Sequence, residues 1–399
     1  MFLPSDELLK KYADVLVKFA LRSGDGVKKD DVVFVQIPEC AKPFYLPLQK
    51  AILEAGAHPI FQYLPDGVTR HFFDHAQDHQ IIYYPKAYFD GQIQNITHRI
   101  SIIAETDKYE LKGVDPKKLT SRMHSRKEYK EKLFQKEREG NLTWVIGLYG
   151  TIAMADEVGL SLKEYWDQII KACYLDYEDP ISQWKKTFQA ITKIKDRLNN
   201  LPIQRVKIKG KDVDLKIKIG TDRKRVGGGG RNIPSFEIFT SPDCRGTEGW
   251  IRFNQPLYVY GQLIKGIRLE FENGNVVKFS ADENEYLLKE IISIPGADKV
   301  GEFSLTDNRL SHITKFMGET LYDENIGGKF GNTHIALGSS YSECFLGDDS
   351  KLNEKELQQI GFNQSSEHKD IISTTDRVVT AILENGEEKI IYKDGQFQI

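Results

Sequence analysis

The sequence predicts an α/β protein with two domains: an N-terminal domain built on an open parallel sheet, and a mainly β C-terminal domain of the α+β type. Three observations support this prediction. A chain of 399 residues is too long for one ordinary hydrophobic core, and this length indicates two domains or three. Nearly all-apolar runs alternate with helical periodicity in the first half, whereas alternating runs joined by tight turns dominate the second half. We place the boundary near Asn200, which gives domains 1–200 and 201–399.

The first half has the pattern of βαβ units. Helical periodicity over residues 8–22 precedes a strand at 32–37, a helix at 46–55 interrupted at Pro47, and a second strand at 59–63. Apolar runs at 100–104 and 144–148 extend the parallel sheet. The half contains neither a GxGxxG nor a GxxxxGK[ST] motif, so the sequence gives little support for a nucleotide site.

The second half has the pattern of antiparallel hairpins. Residues 205–209 and 213–219 alternate strictly between apolar and polar side chains, and Asn-Gly pairs at 273–274 and 385–386 predict two further tight turns. Gly227 begins a run of four glycines. Because no Lys-Ser/Thr follows, we interpret this run as a flexible loop, or as a close approach of the backbone beside Glu237, and not as a phosphate cradle.

Composition excludes several classes of partner. A formal charge of -3 and a pI near 6.3 give no general attraction to nucleic acid or anionic lipid. The sequence has no stretch of the ~18 apolar residues that a membrane span needs, and its start has no secretory pattern. The four cysteines are scattered and predict reduced thiols. We therefore expect a cytoplasmic protein that binds neither nucleic acid nor membrane.

Two segments near the C-terminus carry residues suited to metal binding. His334 lies in an alternating run that predicts a half-buried strand, with only small side chains beside it on the same face. His368 and Asp370 are two residues apart, so on a strand both point the same way. An imidazole with a carboxylate suits zinc, cobalt or manganese. The alternative is that each histidine is simply a hydrogen-bonded core or surface residue.

A second histidine pattern lies in the first half. His71, His75 and His79 are spaced by four residues, which on a helix aligns three imidazoles on one face. Asp74 and Asp78 beside them fit an ordinary solvated face. We favour that interpretation over a metal stripe.

Three segments together resemble a known family. They are TLYDENIGGKFGNTHIALG at 320–338, with Tyr341 seven residues after His334 and the HxD motif at 368–370; NIPSFEIFTSP at 232–242; and VGEF at 300–303. In order and approximate spacing they resemble the thermophilic aminopeptidase family typified by aminopeptidases T and S. The resemblance spans nearly the whole chain. One departure is visible, because many members have two consecutive glutamates where this chain has Phe236-Glu237.

The resemblance implies a metallopeptidase with paired divalent cations. It implies a homodimer whose enclosed cavity excludes folded proteins, and it makes Tyr341 the active-site tyrosine, which stabilises an oxyanion or positions water. We take Glu302 as the carboxylate that bridges the cations. Asp323, Glu324 and Asn325 are expected only as supporting partners or helix caps. The proposed metal ligands are Glu237, Glu302, His334, His368 and Asp370.

Glu237 also has support from its own neighbours. Phe236, Ile238 and Phe239 predict that it is buried, and a buried carboxylate needs a cation. A buried salt bridge would satisfy the same need.

Paired metals fit the chemistry of peptide hydrolysis. A bound cation lowers the pKa of water from ~15.7 towards ~7, and a second cation binds the carbonyl oxygen or the free amine. The sequence therefore predicts an aminopeptidase that removes the N-terminal residue from short peptides. Two alternatives remain: another metal-dependent amidohydrolase acting on non-peptide substrates, and a non-catalytic binding protein that retains the fold.

Overall fold

The computed structural model describes residues 2–259 and 261–399, which form two compact units. One unit holds the residues before Trp184 together with Gly229–Ile233, and the other holds Trp184–Gly228 and Pro234–Ile399. The change from one unit to the other falls inside the helix Pro180–Asn199. The division into domains near Asn200 stays a prediction.

The first unit is built on a four-stranded, all-parallel sheet with the strand order β2-β1-β3-β4. The strands are β1 (Val32–Pro38), β2 (His58–Leu64), β3 (His98–Ile103) and β4 (Thr143–Leu148). The apolar sequence of β1 fits its central position, because a parallel strand between two neighbours is covered on both faces. The predicted open parallel sheet is confirmed.

Helices connect and cover these strands. They are α1 (Asp6–Val15), α2 (Tyr45–Glu54), α3 (Val68–His75), α4 (Asp78–Ile81), α5 (Lys86–Asn95), α6 (Pro116–Ser125), α7 (Lys127–Arg138), α8 (Ile152–Glu157), α9 (Leu162–Ala172) and α10 (Pro180–Asn199). Pro47 does not interrupt α2, because it lies in the first turn, where the missing N–H is not needed. The first predicted helix changes geometry within its predicted range, since α1 ends at Val15 and a π-helix follows over Leu16–Ala20.

The three histidines of the first half do not form one stripe. α3 ends at His75, so His79 lies on the separate helix α4. The rings of His71 and His75 stack at 4.3 Å and are exposed. The metal-binding groups found in the part of the chain that the structure describes do not include them. The interpretation as a solvated face fits this geometry.

The second unit contains three antiparallel sheets. The largest has the order β12-β11-β8-β6-β5-β16-β17-β18, the second has the order β15-β14-β13-β7, and the third pairs β10 with β9. The strands are β5 (Ile203–Gly210), β6 (Val213–Lys218), β7 (Glu237–Thr240), β8 (Glu248–Arg252), β9 (Leu257–Val259), β10 (Gln262–Ile264), β11 (Arg268–Glu272), β12 (Asn275–Ser280), β13 (Val300–Thr306), β14 (Asn332–Gly338), β15 (His368–Ser373), β16 (Arg377–Leu383), β17 (Glu388–Lys393) and β18 (Gln396–Phe397). Its short helices are α11 (Glu285–Ile292), α12 (Thr320–Asp323) and α13 (Glu354–Gln359). The predicted mainly β character is confirmed.

The main core of this unit lies between its two larger sheets. Leu215 and Ile251 of the eight-stranded sheet and Phe303, Ile335 and Ile371 of the four-stranded sheet belong to one buried apolar cluster. Every second residue of β13, β14 and β15 therefore faces the core, and the residues between them face the opposite side. The prediction that β14 is half-buried is wrong, since both of its faces are buried.

The glycine run confirms the predicted close approach. The backbones of Val226 and Phe239 exchange two hydrogen bonds of 2.9 Å, which places Gly227 against Glu237. A Cβ at Gly227 would overlap the carbonyl oxygen of Glu237. Glycine is therefore required here by the packing of backbone against backbone.

None of the helices within residues 2–259 and 261–399 combines the length and the apolar character that crossing a bilayer requires.

The buried carboxylate of Asp243, which follows β7, is paired with two cationic side chains. Arg245 donates two hydrogen bonds of 2.7 Å to it, and Lys218 lies 2.7 Å away. Burial raises the pKa of Asp243, but the two cations outweigh burial and hold that pKa at about 2. Asp243 therefore stabilises the fold when it is ionised.

We expect Asp243→Asn to lower the free energy of unfolding by roughly 1–2 kcal/mol at pH 7, after allowance for the partly exposed partners. Because the folded pKa is depressed, the difference from wild type should hold above about pH 4 and disappear as the pH falls towards 2. Urea unfolding at several pH values measures it. Glu283→Gln, at an exposed ion pair with Lys265, is the matched control and should change stability by less than ~0.5 kcal/mol. A pH-independent difference for Asp243→Asn would contradict the assignment.

Candidate metal centre

The four-stranded sheet collects polar side chains on the face opposite the core. In the strand register, Ser304 lies opposite His334, and Asp370 lies opposite Ala336. A bulge between Val300 and Glu302 shifts the register of β13. Successive residues of a strand point to opposite faces, so the core residues of the same strands leave this face to the polar side chains. The sheet brings all five predicted ligands together on it.

The first group of possible ligands centres on His334. Its Nε2 atom lies 3.0 Å from Glu302 Oε1, 3.3 Å from Glu237 Oε2 and 3.9 Å from Asp370 Oδ1. His334 and the two glutamates are all buried. The ligand atoms of these three residues lie within 4.8 Å of one another. Such separations suit a single cation with bonds of about 2.0–2.2 Å to nitrogen and oxygen.

The second group combines Glu302 with His368 and Asp370. His368 Nε2 lies 3.5 Å from Asp370 Oδ1 and 3.6 Å from Glu302 Oε2. The other ring nitrogen of His368, Nδ1, lies 2.8 Å from the carbonyl oxygen of Ser339. In the neutral imidazole, the Nδ1–H group donates a hydrogen bond to that carbonyl, and the lone pair is then on Nε2. This is the form of imidazole that binds a metal. Glu302 is the residue common to both groups.

Further hydrogen bonds orient the carboxylates. Ser304 donates from its hydroxyl to Glu237 Oε2 at 2.9 Å. Asn325 accepts from the backbone N–H of Phe236 at 2.6 Å, and it donates to Glu324 Oε1 at 3.3 Å. Asn325 therefore links the segment before β7 to the segment after α12, which is the supporting role that the sequence indicated.

Glu324 is the residue that sequence reasoning underestimated. It is buried, and burial followed by the negative charges of Glu237 and Asp370 raises its pKa well above the usual value. It therefore lies within the electrostatic reach of the ligand cluster. The sequence offered one indication, since Glu324 lies between Asp323 and Asn325 in the segment that carries the strongest resemblance.

The pKa of Glu302 is raised and the pKa of Asp370 is lowered, because their neighbouring charges differ. Burial and the charges of Glu237 and Asp370 raise the pKa of Glu302 to about 7, against a hydrogen bond from His334. Burial also raises the pKa of Asp370, but the positive charges of His368 and His334 outweigh burial and lower that pKa to about 2. The cluster thus holds protons at neutral pH when no cation is bound.

The histidines and the tyrosine respond to the same carboxylates. Burial lowers the pKa of His368, but Asp370 and Glu302 outweigh it and raise that pKa to about 9. The Tyr341 ring lies 4.8 Å from the His368 ring. Desolvation, and then the charges of Glu302 and Asp370, raise the pKa of Tyr341 well above its usual value. Its phenol stays protonated at neutral pH and is a hydrogen-bond donor.

The residues present fit a divalent cation. Within the described residues, Glu237, Glu302 and Asp370 form ion pairs with histidines and with no lysine or arginine. Glu324 is a further buried carboxylate near the cluster. Two imidazoles cannot neutralise the three carboxylates, and a buried excess of negative charge is costly unless a cation balances it. Nitrogen and oxygen donors in this combination suit zinc, cobalt or manganese.

Comparison with known proteins identifies the family. The model of the family described as thermophilic metalloprotease (M29) matches residues 5–397. The chain therefore belongs to the thermophilic metalloprotease (M29) family, a family of hydrolases that act on peptide bonds. The resemblance seen in the sequence is confirmed.

Individual relatives agree over the full length. Aminopeptidase 2 of Geobacillus stearothermophilus is 26% identical and is covered over 97% of its length by 98% of this chain. Aminopeptidase PepS of Streptococcus thermophilus is 26% identical, with 100% of both chains covered. The solved structure of wild-type AmpT from Thermus thermophilus superimposes with a TM-score of 0.84 over 98% of this chain and 99% of that one, at 23% identity. That structural likeness supports the fold.

We expect metal binding to release protons and to tighten as the pH rises. Without a cation, the pKa values of Glu302 and His368 are about 7 and about 9, so at pH 7 a cation must displace a proton from His368 and, in about half of the molecules, one from Glu302. Affinity for manganese should rise between pH 6 and pH 8.5, by up to about tenfold per pH unit for each proton released. Calorimetric titration in buffers of different ionisation enthalpy measures affinity and proton release together. A pH-independent affinity without proton release would contradict this expectation.

Proposed function

We propose that the chain is an aminopeptidase that removes the N-terminal residue from short peptides with the help of two divalent cations. The observation that carries the proposal is the pair of overlapping ligand groups that share Glu302. A shared carboxylate can bridge two cations about 3.5–4 Å apart. Relatives that match over nearly their whole length are named aminopeptidases, which supports the same activity.

The charges suit two cations. If both histidines are neutral, Glu237, Glu302 and Asp370 contribute three negative charges against the four positive charges of two divalent cations, and a hydroxide would nearly complete the balance. In this assignment Glu302 would be shared by both cations, Glu237 and His334 would hold one of them, and His368 and Asp370 would hold the other. Glu237 and His334 lie 3.3 Å apart and form one group of possible ligands with Glu302, while His368 and Asp370 form the other group with it, which supports this division.

The residues of the chain would prepare the site for hydrolysis. When bound, the cations would lower the pKa of a water molecule and polarise the scissile carbonyl. Ser304 fixes one oxygen of Glu237, and the Ser339 carbonyl fixes the tautomer of His368. Tyr341, protonated at neutral pH, donates a hydrogen bond to the oxyanion that develops on the carbonyl. The buried setting of the carboxylates strengthens each of these interactions, because the local dielectric constant is low.

We further propose a cytoplasmic homodimer. The four cysteines are free thiols, which suits a reducing compartment. The dimer and the preference for short peptides follow from the family resemblance, in which an enclosed cavity would exclude folded proteins.

We expect His368→Ala to abolish metal-dependent peptide hydrolysis while the protein still folds. The variant removes one imidazole from the second ligand group, and loss of even a supporting partner of a metal ligand costs about 10–100-fold, so loss of a ligand should cost more than about 100-fold. Release of an N-terminal residue from a dipeptide, metal content after dialysis and the thermal midpoint are measured together.

The control for this variant is His79→Ala, which removes an exposed histidine in the first unit. It should retain wild-type activity and metal content. Full activity in His368→Ala would remove the site assignment, whereas loss of activity together with folding would require the milder His368→Gln to decide the question.

A requirement for a free N-terminal amine on the substrate distinguishes an aminopeptidase from another amidohydrolase. We expect hydrolysis of Leu-Gly-Gly to be at least about 100-fold faster than that of its N-acetylated form, because acetylation removes the free amine that a second cation can bind. Chromatography of the released amino acid measures both rates. Equal rates for the two peptides would favour the alternative amidohydrolase.

A further inference from the structure

Arg225 is a buried cation that has no acidic partner among the residues that the structure describes. Its side chain is 8% exposed, and within the part of the chain that the structure describes its guanidinium makes one hydrogen bond, from Nη1 to the carbonyl oxygen of Arg223 at 3.5 Å. The neighbouring Arg223 contrasts with it. That side chain pairs with Asp222 at 2.7 Å and donates to the carbonyl oxygens of Ser241 and Ile360. Burial of an uncompensated charge is costly, so the donors of Arg225 call for a ligand.

The electrostatic surroundings of Arg225 agree with this description. Burial lowers its pKa to about 10, and the one group that raises the pKa is the thiol of Cys344, which is itself buried and protonated at neutral pH. Arg225 is therefore still charged at pH 7. No carboxylate contributes to its pKa, in keeping with the lack of an ion pair.

A cavity of about 390 Å³ is lined in part by Arg225. Arg223, Arg225, Asn200, Thr221, Leu346 and Glu384 are among the residues that line it. Glu384 is the acidic member of the lining and is exposed to solvent. At about 30 Å³ for each water molecule, the volume corresponds to roughly a dozen waters, which leaves room for a tetrahedral or planar oxyanion with part of its hydration shell.

We propose that Arg225 anchors an oxyanion-binding site in this cavity, which takes a phosphate or carboxylate group. The planar guanidinium offers several N–H donors in a fixed arrangement that matches the oxygens of either group. The backbone of Arg225 is held in place, because its N–H donates to Asn199 Oδ1 at 2.7 Å and its carbonyl accepts from Asn199 Nδ2 at 3.1 Å. The anchor is thus positioned before the anion arrives.

The site is connected to the strand that carries Glu237. Val226, the next residue, exchanges backbone hydrogen bonds with Phe239 of β7, and the N–H of Lys224 donates to the carbonyl oxygen of Cys344 at 2.8 Å. An anion on Arg225 would remove the cost of its buried charge and would stabilise this segment. We therefore expect anion binding to raise the thermal midpoint of the protein. The proposal does not rest on the metal centre or on peptidase activity.

The test is calorimetric titration of inorganic phosphate, and separately of acetate, into the metal-loaded full-length protein. We compare wild type with Arg225→Met, which keeps an apolar side chain in the space but removes the charge. The variant should lose one equivalent of anion binding, or bind it at least tenfold more weakly. Arg252→Gln, which removes a half-exposed guanidinium, should bind as wild type. Anions bound to the metals contribute equally to all three proteins, so the difference belongs to Arg225.

Thermal unfolding separates a ligand site from a structural arginine. In anion-free buffer, Arg225→Met should have a thermal midpoint equal to or above that of wild type, because it replaces an unpaired buried charge with an apolar group. Added anion should raise the midpoint of wild type and Arg252→Gln only. Tighter binding of phosphate assigns a phosphate-bearing ligand, and tighter binding of acetate assigns a carboxylate.

Two results would overturn the proposal. One is equal anion binding by wild type and Arg225→Met. The other is a large loss of stability in Arg225→Met without any Arg225-dependent binding of either anion. If Arg225→Met does not fold, Arg225→Lys decides, since a point charge without the planar fork should bind phosphate about tenfold more weakly than wild type if Arg225 is the anchor.

Discussion

The second unit depends on one constraint: the carboxylates of Glu237, Glu302 and Asp370 lie close together, and among the described residues their ion-pair partners are histidines and no lysine or arginine. Their mutual repulsion is visible in Glu302 and Glu324, whose pKa values burial and neighbouring charges raise. A fold that only needed stability would place apolar side chains there, because burial of charge is costly. The arrangement makes physical sense when cations complete it. Folding brings the mutually repelling carboxylates together, and a bound cation would relieve that repulsion, which would favour metal binding.

An antiparallel sheet is well suited to hold such a cluster. Its side chains alternate with a period of two, so Phe303, Ile335 and Ile371 pack into the core while their neighbours on the same strands point to the cluster. Strands adjacent in space need not be adjacent in sequence, and β7 and β15 begin 131 positions apart by their residue numbers, Glu237 and His368. The hydrogen bonds of the sheet fix the backbone, and only short side chains remain to be oriented. Ser304 does this for Glu237.

Local sequence was sufficient to predict much of the fold, but less of the site. The apolar run of β1 and the alternation of β5 and β6 follow from periodicity alone, which reports whether a residue faces a core. Periodicity does not report which strands become neighbours, so it does not indicate that both faces of β14 are buried. His368 and Asp370 share a face by spacing, whereas Glu302 entered only through family resemblance. Glu324 lies just after the short helix α12, where no periodicity indicates direction.

Phe236, the residue before Glu237, is the position at which the sequence departs from the pattern that the family resemblance implies. Phe236 is buried and stacks on Trp184 with ring centroids 5.3 Å apart and an interplanar angle of 16°. A carboxylate there would lie against the indole of Trp184. The aromatic pair instead anchors the start of β7, while Gly227 lets the neighbouring backbone approach Glu237 from the other side. Packing on both sides of Glu237 thus holds its carboxylate in an apolar region.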